Sequence, residues 1–181
     1  MICTERLILR KWIDKDLEPF AAINQDPKVM EFFPGQLTRE ETLVLITRFN
    51  AHIEQHGFGL YACEERHSRQ FIGFVGLNIP NFKAHFTPCV EVGARLAVKF
   101  WGIDYALEAA RKMIAVGFEQ FALSEIVGFT TVNNKRSRGL MEKIGMQRDP
   151  NDDFYHPNIN IDHPLGLHVL YRLRNEKFTN S

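Results

Sequence analysis

The chain has 181 residues, 45% hydrophobic and 24% charged, so a core can be buried without disulfide or metal staples. Twenty-two Lys and Arg balance twenty-two Asp and Glu, which excludes a global field that recruits nucleic acid or an anionic membrane. Three cysteines, Cys3, Cys63 and Cys89, with no CxxC pair exclude a disulfide framework or a zinc ribbon. MICTERLILRKW carries charges at Glu5, Arg6 and Arg10 and lacks the apolar run of a secretory signal. The expectation is one domain over residues 1–181, cytoplasmic, with three reduced and mostly buried thiols.

Residues 5–12 read as a first strand, with Leu7 and Leu9 alternating against Arg6, Ile8 and Arg10. A helix begins near Asp14 or Asp16, its apolar side Leu17, Phe20, Ala21 and Ile23. Asp26 before Pro27 predicts a second, short helix, stopped by Pro34 and Gly35. Thr38 and Glu41 form a capping box, after which Leu43, Ile46, Phe49 and Ile53 recur at helical spacing up to Gly57. Residues 58–64 and 71–79 flank the polar turn 66–69 and, with 90–98, predict an antiparallel meander. The link 80–88, with Phe82, His85 and Phe86, is expected to be an ordered loop beside the active site. Residues 104–121 form a long helix with Ala106, Ala110, Met113, Gly117 and Phe121 on one stripe, 125–131 a strand, and 133–144 a helix closed by Gly145. A polar loop of unusual length, 149–164, precedes a last strand over 165–173, and the tail 175–181 is expected to fray. The pattern is α+β, with one mixed sheet and helices on both faces.

The stretch 89–110, CVEVGARLAVKFWGIDYALEAA, is a strand feeding a helix through the turn 99–104. A helix start offers unpaired backbone N–H groups and partial positive charge to a phosphate anion. Gly102, without a Cβ, lets a ligand come close to the backbone there.

RLAVKFWGIDYALEAARKM followed by IVGFTTVNNKRSRGLMEKIGM resembles the pyrophosphate-binding segment and next strand and helix of the GNAT N-acetyltransferases, RimJ/RimL-like branch. Against Q/R-x-x-G-x-G/A, and the branch form R-L-x-x-x-x-W-G-x-G-Y-A-x-E-A, the matches are Arg95, Leu96, Trp101, Gly102, Tyr105, Ala106, Glu108 and Ala109. Lys99 replaces Gln/Arg and Asp104 replaces the second Gly/Ala. The resemblance runs from about Glu5 to about Arg174 and implies the GNAT-like fold, mostly antiparallel, with a splayed strand pair that admits the pantetheine arm of acetyl-CoA.

By the same resemblance, backbone of Arg95, Leu96 and Ala97 pairs with pantetheine amides. The N–H groups of Trp101, Gly102, Ile103, Asp104, Tyr105 and Ala106 face the pyrophosphate, and Lys99 is counted among the cofactor-binding residues. Trp101 and Phe100 are expected to pack rather than do chemistry. Asn133 occupies the position of a polar residue that touches the cofactor arm, and a helix N-cap is its other role. Many relatives place a thiolate-protonating Tyr where this chain has Met141; Ser137 is the substitute candidate, with a solvated helix serine as the plain alternative. Glu91, on the strand before the loop, is the candidate base, a carboxylate fixing Arg95 being the alternative. Asp104 puts a carboxylate where a pyrophosphate should sit, so it must turn outward or be offset, with Lys99 and Lys112 the candidate cations. His156, His163 and His168 with Asp152, Asp153 and Asp162 fit no ligand spacing, and no metal is expected.

The expected activity is an acetyl-CoA-dependent N-acetyltransferase acting on a primary amine of a protein N-terminus, peptide or small molecule by direct transfer. No nucleic-acid or membrane partner is expected, and a homodimer is compatible with it. The alternative is a non-enzymatic or impaired module of the same fold that binds CoA weakly or as a sensor.

Overall fold

The computed structural model describes residues 1–179. The strands are β1 (Ile2–Cys3), β2 (Leu7–Arg10), β3 (Leu60–Glu65), β4 (Phe71–Asn78), β5 (Glu91–Leu96), β6 (Glu125–Thr131), β7 (Gln147–Arg148), β8 (Phe154–Tyr155) and β9 (Leu167–Arg174). They form one sheet in the order β1-β2-β3-β4-β5-β6-β9-β7, with β8 also on β9. Every pairing is antiparallel except β5 with β6. This is the expected α+β mixed sheet.

Helices α1 (Leu17–Asn24) and α2 (Arg39–His56) cover one face; α3 (Tyr105–Gln120) and α4 (Lys135–Ile144) cover the other. Strand alternation sorts the core between them. Leu9, Cys63, Val75 and Leu96 meet Ala109, Ala110 and Met113 of α3, while Ala62 and Phe74 meet Trp12, Phe20 and Ile46 on the α1/α2 side. Because both faces are covered, Leu7, Ile8 and Leu9 are all buried, so the expected alternation in the first strand has no exposed side.

The capping box of α2 forms, with Thr38 Oγ1 accepting from Glu41 N–H at 3.1 Å and Glu41 Oε2 from Thr38 N–H at 2.7 Å, and Gly57 closes the helix at φ +78. Its buried stripe is Thr42, Ile46 and Ile53; Leu43, expected inside, is 46% exposed. Thr42 is inside because its hydroxyl satisfies the buried Asn24 amide at 3.0 Å. The helix predicted after Asp26 does not form. Residues 25–36 run as turns, since Pro34 and Gly35 leave too few residues to offset nucleation, although Val29 and Met30 are still buried. The long loop 149–164 is not structureless: a 3-10 turn (Pro150–Asp152) and β8 order it against β9.

Cys63 is buried, but Cys3 is exposed, against expectation. Asn175, expected to fray, is buried and donates to Ser124 C=O and Leu123 C=O, anchoring a short α5 (Glu176–Thr179). Residues 180 and 181 of the predicted frayed tail lie outside the described residues. Among the described residues, no helix is long and apolar enough to cross a membrane.

Candidate active site

The site is built around a gap in the sheet. β5 pairs with β4 along its whole length, from Asn78↔Glu91 to Gly73↔Leu96, and β6 pairs with β9 along its whole length. Between β5 and β6 the register holds only at Glu91↔Val127, helped by Val127 N–H on Val90 C=O at 2.9 Å. Beyond that pair the two strands part and share no register. β6 registers no partner for Arg95 or Leu96; Arg95 stands opposite Phe74 in the β4 ladder, and Ala97 N–H donates to Ile72 C=O at 3.0 Å.

The chain leaves β5 through a 3-10 turn (Val98–Phe100) and reaches α3 by way of Trp101, Gly102, Ile103 and Asp104. Trp101 Nε1 donates to Leu96 C=O at 2.9 Å and its ring packs against both cores, as expected of a packing residue. Gly102 has φ +76, and a Cβ there would meet nothing within 4 Å, so the turn faces open space on the side a ligand needs. Asp104 has φ +59, a conformation that glycine adopts freely and that Asp tolerates better than most residues with a Cβ. Its side chain makes no cap; it turns outward to Lys143 Nζ at 3.0 Å. The offsetting cation is therefore Lys143, on α4, not Lys99 or Lys112, because folding brings the C-terminal end of α4 beside the loop. Ile103 is 45% exposed and Tyr105 lies under the Arg6 guanidinium at 4.7 Å. Glu108, one of the matching motif positions, accepts from Thr4 Oγ1, Arg6 N–H and Arg6 Nε, clipping the N-terminal strands to the start of α3.

Across the gap, α4 is capped by Asn134, whose Oδ1 accepts from Ser137 N–H at 3.1 Å. The N-cap role entertained for Asn133 thus belongs to its neighbour. Asn133 is exposed and its side chain makes no hydrogen bond among the described residues, which leaves it available to a ligand. Ser137 is half-buried, and its hydroxyl makes no hydrogen bond among the described residues. Met141 is 4% exposed and packs beneath Gly128, where a Cβ would lie 2.6 Å from its Sδ, so the position of the family's tyrosine is filled by core. Arg136 lays its guanidinium 3.9 Å over the Trp101 ring and joins the two banks.

Glu91 sits where the strands part. Burial pushes its carboxyl up to about 7, against the pull of Asn78 Nδ2, which donates to Oε1 at 2.7 Å. It does not fix Arg95, whose Nη1 donates to Asn24 Oδ1 at 2.7 Å instead. Lys99 is exposed and its ammonium rests 4.9 Å from the Phe100 ring. His156 and His168 stack into an aromatic cluster with Phe82, Phe129 and Phe154, and burial holds the His168 imidazole down at about 4. Among the described residues no group of three His, Cys, Asp or Glu is placed to hold a metal ion. A groove of about 330 Å³ between α3, the end of α4 and β9 is lined by Ile114, Phe118, Ile144 and Leu173, and by none of the candidate site residues.

Sequence reasoning missed Asn78, Arg136, Lys143 and the side chain of Arg95. Only the last had a signal, the parity that puts Glu91, Gly93 and Arg95 on one face of β5.

An open parallel strand pair leading to a glycine turn and helix start is the arrangement that the resemblance to the GNAT N-acetyltransferases implies. Residues 6–147 match the model of the acetyltransferase (GNAT) domain, and the chain belongs to that family. It is 29% identical over 146 residues to the uncharacterized protein YkkB of Bacillus subtilis, covering 80% of this chain and 84% of that one. It is 33% identical over 131 residues to the FsC-acetyl coenzyme A-N(2)-transacetylase of Aspergillus fumigatus, covering 68% and 55%. The crystal structure of a GNAT-family acetyltransferase from Bacillus anthracis superposes with a TM-score of 0.77 at 24% identity, covering 96% and 97% of the two chains. The protein is an acyltransferase of the N-acetyltransferase kind.

Proposed function

We propose that this chain, as a single RimJ/RimL-like domain in the cytoplasm, transfers the acetyl group of acetyl-CoA directly to a primary amine in a ternary complex. The amine belongs to a protein N-terminus, a peptide or a small molecule. The observation that carries the reading is the β5/β6 gap with Glu91 at its closed end and the Gly102 turn at its open end.

The gap fits a pantetheine arm: beyond Glu91 the edge of β5 toward β6 has no registered strand partner, Asn133 offers an amide, and Gly102 to Ala106 lead into the start of α3. Bound acetyl-CoA supplies the activated acyl carbon and a thiolate leaving group. Glu91 accepts a proton from the incoming ammonium, directly or through one water, so that the nitrogen lone pair is free when the C–N bond forms and the C–S bond breaks. A carboxyl held near 7 is matched to that task at neutral pH. Ser137 holds a hydroxyl on the α4 bank for the departing sulfur. Direct transfer is favoured over an acyl-cysteine because the thiol of Cys89, two residues from Glu91, is pushed up to about 12 by burial and by the Glu91 charge.

A second reading, a domain that holds CoA without turnover, draws on Asp104 in the phosphate loop and Met141 in the tyrosine position. Thermal melts with acetyl-CoA followed by thiol release over an amine panel separate the two. Ligand at 100 times its dissociation constant should add about 2.7 kcal/mol, roughly 5–10 °C for a domain of this size. A shift without thiol release supports the second reading, and no shift at millimolar acetyl-CoA sinks both.

A further inference from the structure

Three buried side-chain polar atoms make no hydrogen bond among the described residues: Glu64 Oε1, Arg95 Nε and Thr131 Oγ1. Arg69 Nε lies 2.7 Å from the first as an ion partner, so two remain. Both stand on the gap. Arg95 is four residues beyond Glu91 on β5, Thr131 four beyond Val127 on β6, and the pair Glu91↔Val127 puts all four on one sheet face, the α1/α2 side. Buried polar groups are almost always paired, and an unpaired buried guanidinium N–H is rare enough to need a partner outside the chain.

The Arg95 guanidinium is set in place before any ligand arrives. Thr42 Oγ1 accepts from Asn24 Nδ2 at 3.0 Å, and Asn24 Oδ1 accepts from Arg95 Nη1 at 2.7 Å. The Phe33 ring lies 4.2 Å from the guanidinium carbon and Phe74 5.5 Å. No carboxylate lies within ion-pair range among the described residues. With Nη1 occupied, the free edge is Nε with Nη2, the edge that takes a carboxylate side-on. The same protein uses that edge elsewhere: Arg148 Nε and Nη2 hold the two oxygens of Asp153. Between Arg95 and Glu91 the floor is Gly93, where a Cβ would touch only Leu60 Cδ2, at 3.5 Å.

We propose that the acceptor is an amine that also carries a carboxylate, bound with the carboxylate on the Nε/Nη2 edge of Arg95 and the amine toward Glu91 across Gly93. The amine end of this assignment rests on the acetyltransferase reading; the anion site does not. Four strand residues span roughly 13 Å between the two Cα atoms, and both side chains can lean inward. The two groups of the acceptor are therefore separated by a chain rather than by one carbon.

The probes are 6-aminohexanoate, hexylamine and an aminoalkyl phosphate of equal length, each tested by thermal shift without cofactor and then as acceptors with acetyl-CoA. The expected result is binding and kcat/KM at least tenfold better for 6-aminohexanoate than for hexylamine, with that ratio falling toward one in Arg95→Met and partly kept in Arg95→Lys. Gly93→Val should raise KM for 6-aminohexanoate far more than it lowers the acetyl-CoA thermal shift; it serves if Arg95→Met does not fold. Equal use of 6-aminohexanoate and hexylamine, or a preference unmoved by Arg95→Met, overturns the anion site. A preference for the phosphate overturns the carboxylate. Cofactor-free binding of 6-aminohexanoate with no acetyl-CoA shift would instead remove the transferase reading and keep the anion site.

Discussion

Arg10 and Arg95 stand at two ends of one row across the sheet, Arg10–Ala62–Phe74–Arg95, on the same face. Arg10 donates through both Nη atoms to Asp16 at 2.7 and 2.8 Å and through Nε to Glu64 at 2.8 Å, bonds that raise its pKa above the ordinary arginine value. Arg95 has one neutral amide and two rings, and burial pulls it down to about 10. At the β2 end the fold balances its own charge, because nothing else will. At the β5 end it leaves a guanidinium edge and a carboxyl, Glu91, uncompensated beside a gap. Charge left unbalanced next to space is charge reserved for something the chain does not contain.

The contrast is tested most strongly by removing each arginine. Arg10→Met strands the buried Asp16 carboxylate and leaves Glu64 with Arg69 alone, and should cost about 3–5 kcal/mol, a fall in Tm of roughly 10 °C or more. Arg95→Met removes a cation that has no ionic partner and should cost about 1 kcal/mol. Equal losses in denaturant melts would mean that Arg95 is as structural as Arg10.

Glu91→Gln should separate activity from stability. Without the base, turnover should drop about 100-fold or more. The folded carboxyl is raised from 4.5 to about 7, so between those values the folded state holds a proton that the unfolded state has released. Its contribution to stability is full below about 4.5 and lost as pH rises through about 7, up to about 3 kcal/mol. Glutamine does not titrate, so the variant should gain stability over the parent at pH 8 relative to pH 5, while the parent's kcat/KM rises toward a plateau above about 7. Parallel pH–stability curves for the two proteins would place the Glu91 carboxyl in water.

Much of this was legible in the sequence. The capping box at Thr38, the strand 125–131 and the glycine close at Gly145 depend on short-range chemistry and appear where the residues put them. The turn 99–104 and its Gly102 could be read from the residues, but the gap was legible only through family resemblance, since no periodicity tells a parallel neighbour that pairs from one that departs. What stayed hidden depends on contacts distant in sequence: Asn24 to Arg95 spans 71 residues and Asp104 to Lys143 spans 39. Leu43 and Thr42 exchanged places because a buried amide on α1 needed a hydroxyl, which helical spacing alone does not reveal.

The smallest expected effect concerns Asp104, a charge intermediate between the two arginines: paired with Lys143, yet exposed and beside the gap. Such an exposed pair contributes little to stability. Its φ of +59 strains any residue with a Cβ, so Asp104→Gly loses a weak ion pair and gains backbone relief, and Tm should move by only a few degrees. Cofactor binding should respond more. The substitution removes a carboxylate from the turn that leads into α3 and leaves the Lys143 ammonium with no counterion there. Both changes favour a pyrophosphate at the helix start. A gain of about 1 kcal/mol, roughly fivefold in acetyl-CoA affinity, is expected at low salt, shrinking at several hundred millimolar salt as screening shortens the reach of both charges. Lys143→Met supplies the opposite sign, leaving Asp104 unpaired and weakening acetyl-CoA binding. Calorimetry on the parent and both variants at two ionic strengths reads this directly. Affinities that do not move in opposite directions would mean that the pyrophosphate lies beyond the reach of this pair.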